Sequence, residues 1–160
     1  MYSAMDIAKY VLGYYCIEKK TVCSNLKLQK ILYFLQANHL VVTDHPLFRD
    51  EIEAVDFGPI IWSVYKKYIS YGAGSIPFNI MKDSKCWKLS IYKKDQKIMN
   101  ELLDELELYS ATSLLDIIHK QSPWKNAYYG PAVYKVNKET GKLERKTFIS
   151  NESLYKYFKD

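Results

Sequence analysis

The sequence predicts an α+β, predominantly α fold: a compact single-domain helical bundle with a short strand and a C-terminal β-hairpin. Three observations lead there. With 160 residues the chain can build one hydrophobic core but not two. Two early segments repeat apolar residues at three- and four-residue steps, the period of an amphipathic helix. Residues 132–149 instead alternate on either side of a polar turn.

The elements follow in order. Ser3 and Asp6 have the spacing of a helix N-cap with an acid in the first turn, ahead of a stripe of Ala4, Ile7, Ala8, Val11, Leu12 and Tyr15. Ser24 or Asn25 caps a second helix, whose face Leu28, Ile31, Leu32 and Leu35 makes it the central core helix. Residues 41–59 hold β-branched residues, two prolines and Phe57-Gly58-Pro59, and are expected to form a loop with at most a short extended piece. Pro59 then opens a third helix that Gly72 stops.

Cys86 to Tyr92 alternates as a short strand, and a fourth helix covers roughly 95–108 with Ile98, Leu102 and Leu106 inward. A fifth starts at Ser110 or Ser113, turns Leu114, Leu115 and Ile118 to the core, and ends before Ser122-Pro123. Trp124 then stands in a loop, as a lid on the core or an exposed anchor. The hairpin pairs AVYKV with KLERKTFI, and Ser150 or Asn151 caps a last helix. The whole, residues 1–160, is expected to be one domain: a helical core over 3–121, then hairpin and last helix over 132–159.

Composition narrows the function. The formal net charge is +5, yet of 23 basic residues only Arg49 and Arg145 are arginines. Dedicated readers of nucleic acid usually use more guanidinium groups, because these bind guanine and phosphate through two donors. Lys-rich 82–97 adjoins acidic 101–107, as expected of a mixed, solvated surface. A nucleic-acid-binding regulator using 82–97 and 135–146 remains the alternative. No run of apolar residues is long enough for a membrane span and no signal peptide is evident, so no membrane partner is expected. Three cysteines without a C-x-x-C pair fit buried thiols of a cytoplasmic protein.

Signals for chemistry are nearly absent. His39, His45 and His119 have no metal-ligand spacing, and neither a nucleophile elbow nor a glycine-rich phosphate loop occurs. No metal, cofactor or catalytic residue is expected. A hydrolase using Cys23 with His119, or else paired acids, is a third and weaker reading. What remains is a surplus of aromatics, with 15 tyrosines and 3 tryptophans. Such side chains serve as interface anchors when exposed and as core when not.

Several blocks resemble the Panacea domain, the SocA-like, phage-associated proteins of bacteria and prophages. Residues 26–33, LKLQKILY, resemble the family's KLQKLLYY signature. Pro46-Leu47-Phe48, Glu51-Ile52-Glu53-Ala54, Gly58-Pro59, Val64-Tyr65 and Tyr71-Gly72 follow in the same order and spacing. Pro123-Trp124-x-x-Ala127 and the closing Tyr157-Phe158 complete the pattern. The basic hairpin at 132–149 and Ala54-Val55-Asp56-Phe57 depart from it.

The resemblance implies a helical, non-catalytic antitoxin or phage-associated accessory protein, bacterial or phage-encoded. It would bind a toxin encoded nearby, and as an adaptor it would hand that toxin to a Clp-type protease. The expected partner-binding residues are Trp62, Tyr65, Trp124, Tyr128 and Tyr33. Lys27, Gln29, Lys30, Gly58 and Pro59 are expected to be structural, with Lys27 and Lys30 bonding carbonyls of the Phe57-Gly58-Pro59 loop.

Overall fold

The computed structural model describes residues 1–77 and 87–160, and it is mainly helical with short antiparallel strands. Helix α1 (Ala4–Gly13) runs into a π-helical turn at Tyr14–Glu18, and α2 (Asn25–Thr43) follows. Strands β1 (Ile52–Val55) and β2 (Gly58–Ile60) precede α3 (Trp62–Tyr68), α4 (Lys93–Leu106), α5 (Ala111–His119) and α6 (Ser122–Tyr129). Strands β3 (Val133–Val136), β4 (Leu143–Lys146) and β5 (Phe148–Ile149) lead to α7 (Asn151–Lys159).

Helix α2 is the axis of the core. Leu28, Ile31, Leu32 and Leu35 are at most 1% exposed, and the helix packs against α1, α3, α4, α5, α7 and β2. The Ser24 hydroxyl caps it by accepting from the Lys27 amide, as the Ser3 hydroxyl caps α1 by accepting from that of Asp6. The α1 stripe lies wholly in the core. Trp87 lies flat on α1 at Gly13, where a Cβ would come within 2.3 Å of the indole, so only glycine admits the ring.

Five elements differ from the sequence expectation. Residues 41–59 hold the β1–β2 hairpin rather than a loop, with Glu53 opposite Ile60 and Ala54 opposite Pro59. Pro59 therefore lies in a strand, not a helix; β2 is the edge of a β2-β1-β5 sheet, where a missing amide leaves no partner unpaired. Helix α3 starts at Trp62 instead. The strand expected at Cys86–Tyr92 is absent over its described part: residues 87–90 form turns and the Ile91 amide donates to the Lys88 carbonyl. Its apparent alternation comes from burying Trp87 and Ile91 alone, and Cys86 lies outside the described residues.

Helix α4 is rotated by one position: Asp95, Met99, Leu103 and Leu106 face inward, while Ile98 and Leu102 are half-buried. Finally, Trp124 lies on a helix. Pro123 sits in the first turn of α6, where its lacking amide costs nothing, so it starts a helix there rather than breaking one.

The C-terminal hairpin forms over Val133–Val136 and Leu143–Lys146, but Phe148 and Ile149, expected in its second strand, leave it and return to the core. Strand β5 adds to β1 with Ile52 opposite Ile149, and Ser150 caps α7, whose Leu154 is fully buried against α2.

Candidate partner-binding surface

Five polar side chains of α2, those of Asn25, Gln29, Lys30, Gln36 and His39, are buried, and they fasten neighbouring segments to the helix, as does the buried Tyr33 hydroxyl. Asn25 donates to the Tyr65 carbonyl (3.0 Å), and the Gln29 carbonyl oxygen accepts from the Ile61 amide (2.9 Å). The Tyr33 hydroxyl donates to Gln121 (2.7 Å). Gln36 accepts from the amides of Leu47 and Phe48 and donates to the Phe48 carbonyl and to Asn151. His39 lies between the His45 carbonyl (2.7 Å) and the Asp95 carboxylate (3.0 Å). Burial pushes the Asp95 carboxyl upward, but hydrogen bonds from Tyr2 and His39 outweigh it and hold the group below its usual range.

Lys30 is the unusual member, at 1% exposed. Its ammonium donates to the carbonyls of Phe57 (2.9 Å) and Leu26 (3.2 Å), and so pins the β1–β2 turn. Gly58 completes that turn at φ +103°, where a side chain would be strained and would press on Leu115 at 3.0 Å. Lys27 takes no part in this turn, which corrects the expectation for it. It donates to the Glu107 carbonyl (3.2 Å), because the orphan carbonyls at the end of α4 attract a cation.

Burial lowers the Lys30 pKa to about 8. The unfolded chain keeps the ordinary value near 10.5, so between these limits it binds a proton the native state lacks, and the lysine's contribution to stability rises with pH. Cys23 and the buried tyrosines work in the opposite direction, since their native pKa values are raised. A comparison with Lys30→Met cancels those groups. The stability lost in the variant is expected to grow between pH 8 and pH 10.5 in urea titrations, and a constant difference would refute the assignment.

Thus fixed, the sheet carries two aromatic clusters. In the first, the Trp62 indole donates to the Glu53 carboxylate, Lys146 lies 3.7 Å from that carboxylate, and its ammonium stands 5.9 Å from the Trp62 ring. Tyr65 meets Trp62 edge-on at 5.4 Å. A cleft of about 540 Å³ opens here, lined by Trp62, Lys66, Lys135, Asn137, Glu144 and Lys146 among others.

In the second cluster, Trp124 is held between His119 (4.2 Å) and Tyr128 (4.6 Å, nearly parallel), and its indole donates to the Val55 carbonyl (3.1 Å). The Tyr128 hydroxyl donates to Asp56, and His119 bonds the Asp56 carbonyl at 3.0 Å. Tyr129, 75% exposed, stands at right angles to Tyr128 over a shallow cleft of about 450 Å³.

These positions sort the expected anchors. Trp62, Tyr65 and Tyr128 are half-buried at the surface. Tyr33 is fully buried and Trp124 is 5% exposed, so neither presents its ring to a partner in this conformation; Trp124 is a lid on the core. Tyr129, Tyr134, Val136 and Leu143 are exposed and were not among the expected anchors, although alternation along 133–136 carries the signal for the hairpin pair. Burial pushes the Cys23 thiol up to about 12, far from the thiolate that nucleophilic chemistry needs. Among the described residues no group of three His, Cys, Asp or Glu is placed to hold a metal ion. Nor is any described helix long and apolar enough to cross a membrane.

Fold and site together define a mainly helical α+β protein whose small sheet carries clefts walled by aromatic rings, lysines and carboxylates. Residues 28–125 match the family described as "Antitoxin SocA-like, Panacea domain", and the chain belongs to that family. It is 32% identical over 115 residues to Antitoxin SocA of Caulobacter vibrioides (strain NA1000 / CB15N), a stretch covering 68% of this chain and 61% of that relative. The chain thus spans about three-fifths of the relative's length. No solved structure matches.

Proposed function

We propose that the chain is a non-catalytic antitoxin that neutralises a toxin encoded nearby by binding it directly. The observation that carries the reading is family membership over residues 28–125 with a relative named as an antitoxin. The site fits it: its aromatic rings and charges are arranged as in a binding surface, and its buried cysteine is unsuited to attack. Residues 1–160 act as one domain in the cytoplasm of a bacterium, encoded by it or by a phage. An adaptor role, passing the toxin to a Clp-type protease, is the finer form of the same reading.

Co-expression with the product of the adjacent open reading frame tests it. That product alone is expected to arrest growth, and this chain to restore growth and co-purify with it. A harmless product that does not co-purify would sink the reading. Loss of the toxin signal in cells with the protease, and its persistence without, separates delivery from simple occlusion.

The nucleic-acid alternative has one observation in its favour. The β3–β4 hairpin carries Lys135, Lys138, Lys142, Arg145 and Lys146 near the exposed Tyr134. Electrostatic binding of that kind must weaken steeply with salt, so a gel shift absent even at low salt removes it.

A further inference from the structure

We propose that the outward face of the β3–β4 hairpin is the surface that takes the partner, and that the partner is a protein presenting an apolar patch rimmed by carboxylates. The inference rests on the antitoxin reading and names the surface that serves it.

The register divides the hairpin into two faces. Val133 stands opposite Lys146 and Lys135 opposite Glu144, while Tyr134 stands opposite Arg145 and Val136 opposite Leu143. Side chains alternate along each strand, so the first four residues share one face and the last four the other. On the first face the two lysines are turned to the body of the protein, while Val133 at its end is 53% exposed. Lys135 lies 3.6 Å from Glu51 and 4.8 Å from the Phe148 ring, and Lys146 lies 3.7 Å from Glu53.

Among the described residues nothing packs over the second face. Tyr134, Val136 and Leu143 are 61%, 62% and 66% exposed, side by side on a two-stranded ribbon. A lone two-stranded hairpin is marginally stable in water and gains nothing from wetting three large apolar side chains. Contiguous exposed apolar groups inside a polar rim mark association surfaces.

The charges say what kind of surface covers it. Lys135 and Lys146 are engaged with carboxylates of the chain itself. Lys138 and Lys142 form no ion pair among the described residues, and Arg145 bonds only the Gly130 carbonyl. With Glu139 alone against these three cations, the rim favours a partner that brings acids. A phosphate backbone would be drawn by the same cations but would leave Val136 and Leu143 wet, and so a protein is the better occupant. The hairpin also lies beyond residues 28–125, the stretch matched to the family.

The test uses the full chain and the purified product of the adjacent open reading frame. The triple variant Tyr134→Ser, Val136→Thr, Leu143→Thr keeps strand-compatible residues at exposed positions, and its melting curve should match the wild type. Its affinity for that product should fall at least about tenfold. Lys138→Glu with Lys142→Glu should slow association and flatten its salt dependence.

Wild-type affinity in both variants overturns this inference while leaving the antitoxin reading intact. A wild-type chain that ignores the product overturns the reading and the inference with it. If sedimentation instead finds a wild-type dimer that the triple variant splits, the face is covered by a second copy and the proposal is wrong. Retardation of a labelled duplex DNA that the double lysine variant abolishes would overturn it likewise.

Discussion

Trp124→Ala is expected to destabilise the fold by about 3–5 kcal/mol, the usual cost of deleting a buried large aromatic. The indole is 5% exposed and fills the space between His119 on α5 and Tyr128 on α6, while its ring nitrogen holds the Val55 carbonyl at the end of β1. Removing it leaves a cavity and an unpaired backbone carbonyl together. Trp124→Phe keeps a ring in the stack and loses only the hydrogen bond, so its cost should be nearer about 1–2 kcal/mol. Urea titrations of both variants check the ordering. An alanine variant as stable as the wild type that fails to bind the product of the adjacent open reading frame would return Trp124 to the role of an exposed anchor.

A comparable loss is expected at Gln36. This side chain, 1% exposed, satisfies the amides of Leu47 and Phe48, the Phe48 carbonyl and Asn151. Gln36→Leu preserves much of the volume but strands these groups without water. Each unsatisfied buried group costs about 1–3 kcal/mol, and because the losses share one site a total of about 3–5 kcal/mol is expected. Set against a typical domain stability of about 5–15 kcal/mol, either substitution leaves little reserve. Hydrogen exchange gives the specific reading: the Leu47 and Phe48 amides, in the segment after α2, should lose protection before the amides of α2 itself. Gln36→Glu keeps the acceptor for both amides and should fall between the two.

Much of this was legible in the sequence, for local reasons. The caps at Ser3, Ser24, Ser110 and Ser150 depend on a hydroxyl and an amide three residues on, and the apolar stripes of α1 and α2 depend on period alone. The family blocks were legible too. What was hidden depends on partners distant in sequence. Pro59 reads as a helix starter until β1 is seen beside it, and Pro123 reads as a stop until α6 follows. Strand β5 is two residues long and is defined by β1 almost a hundred residues earlier, so no window of sequence contains it. The burial of Tyr33 and Trp124 was hidden for the same reason: amphipathic rings suit core or surface, and only the neighbours decide. The Lys30 bond to the Phe57 carbonyl was anticipated, whereas Lys27 turned to the end of α4, a neighbour that spacing could not reveal.

The packing of residues 148–158 against elements about a hundred residues earlier bears on how the fold is assembled. Phe148 and Ile149 supply the third strand of the sheet, Asn151 meets Gln36, Tyr155 donates to Asp44, and Phe158 lies against Tyr33 and Phe34. A nascent chain still lacking these residues leaves α2 uncovered on one side and β1 with an open edge. The core around α2 therefore closes only after residues 148–158 have left the ribosome. Until then the chain keeps an exposed apolar flank, the feature that chaperones and housekeeping proteases recognise. Late pairing of this one segment is thus a condition for covering the core.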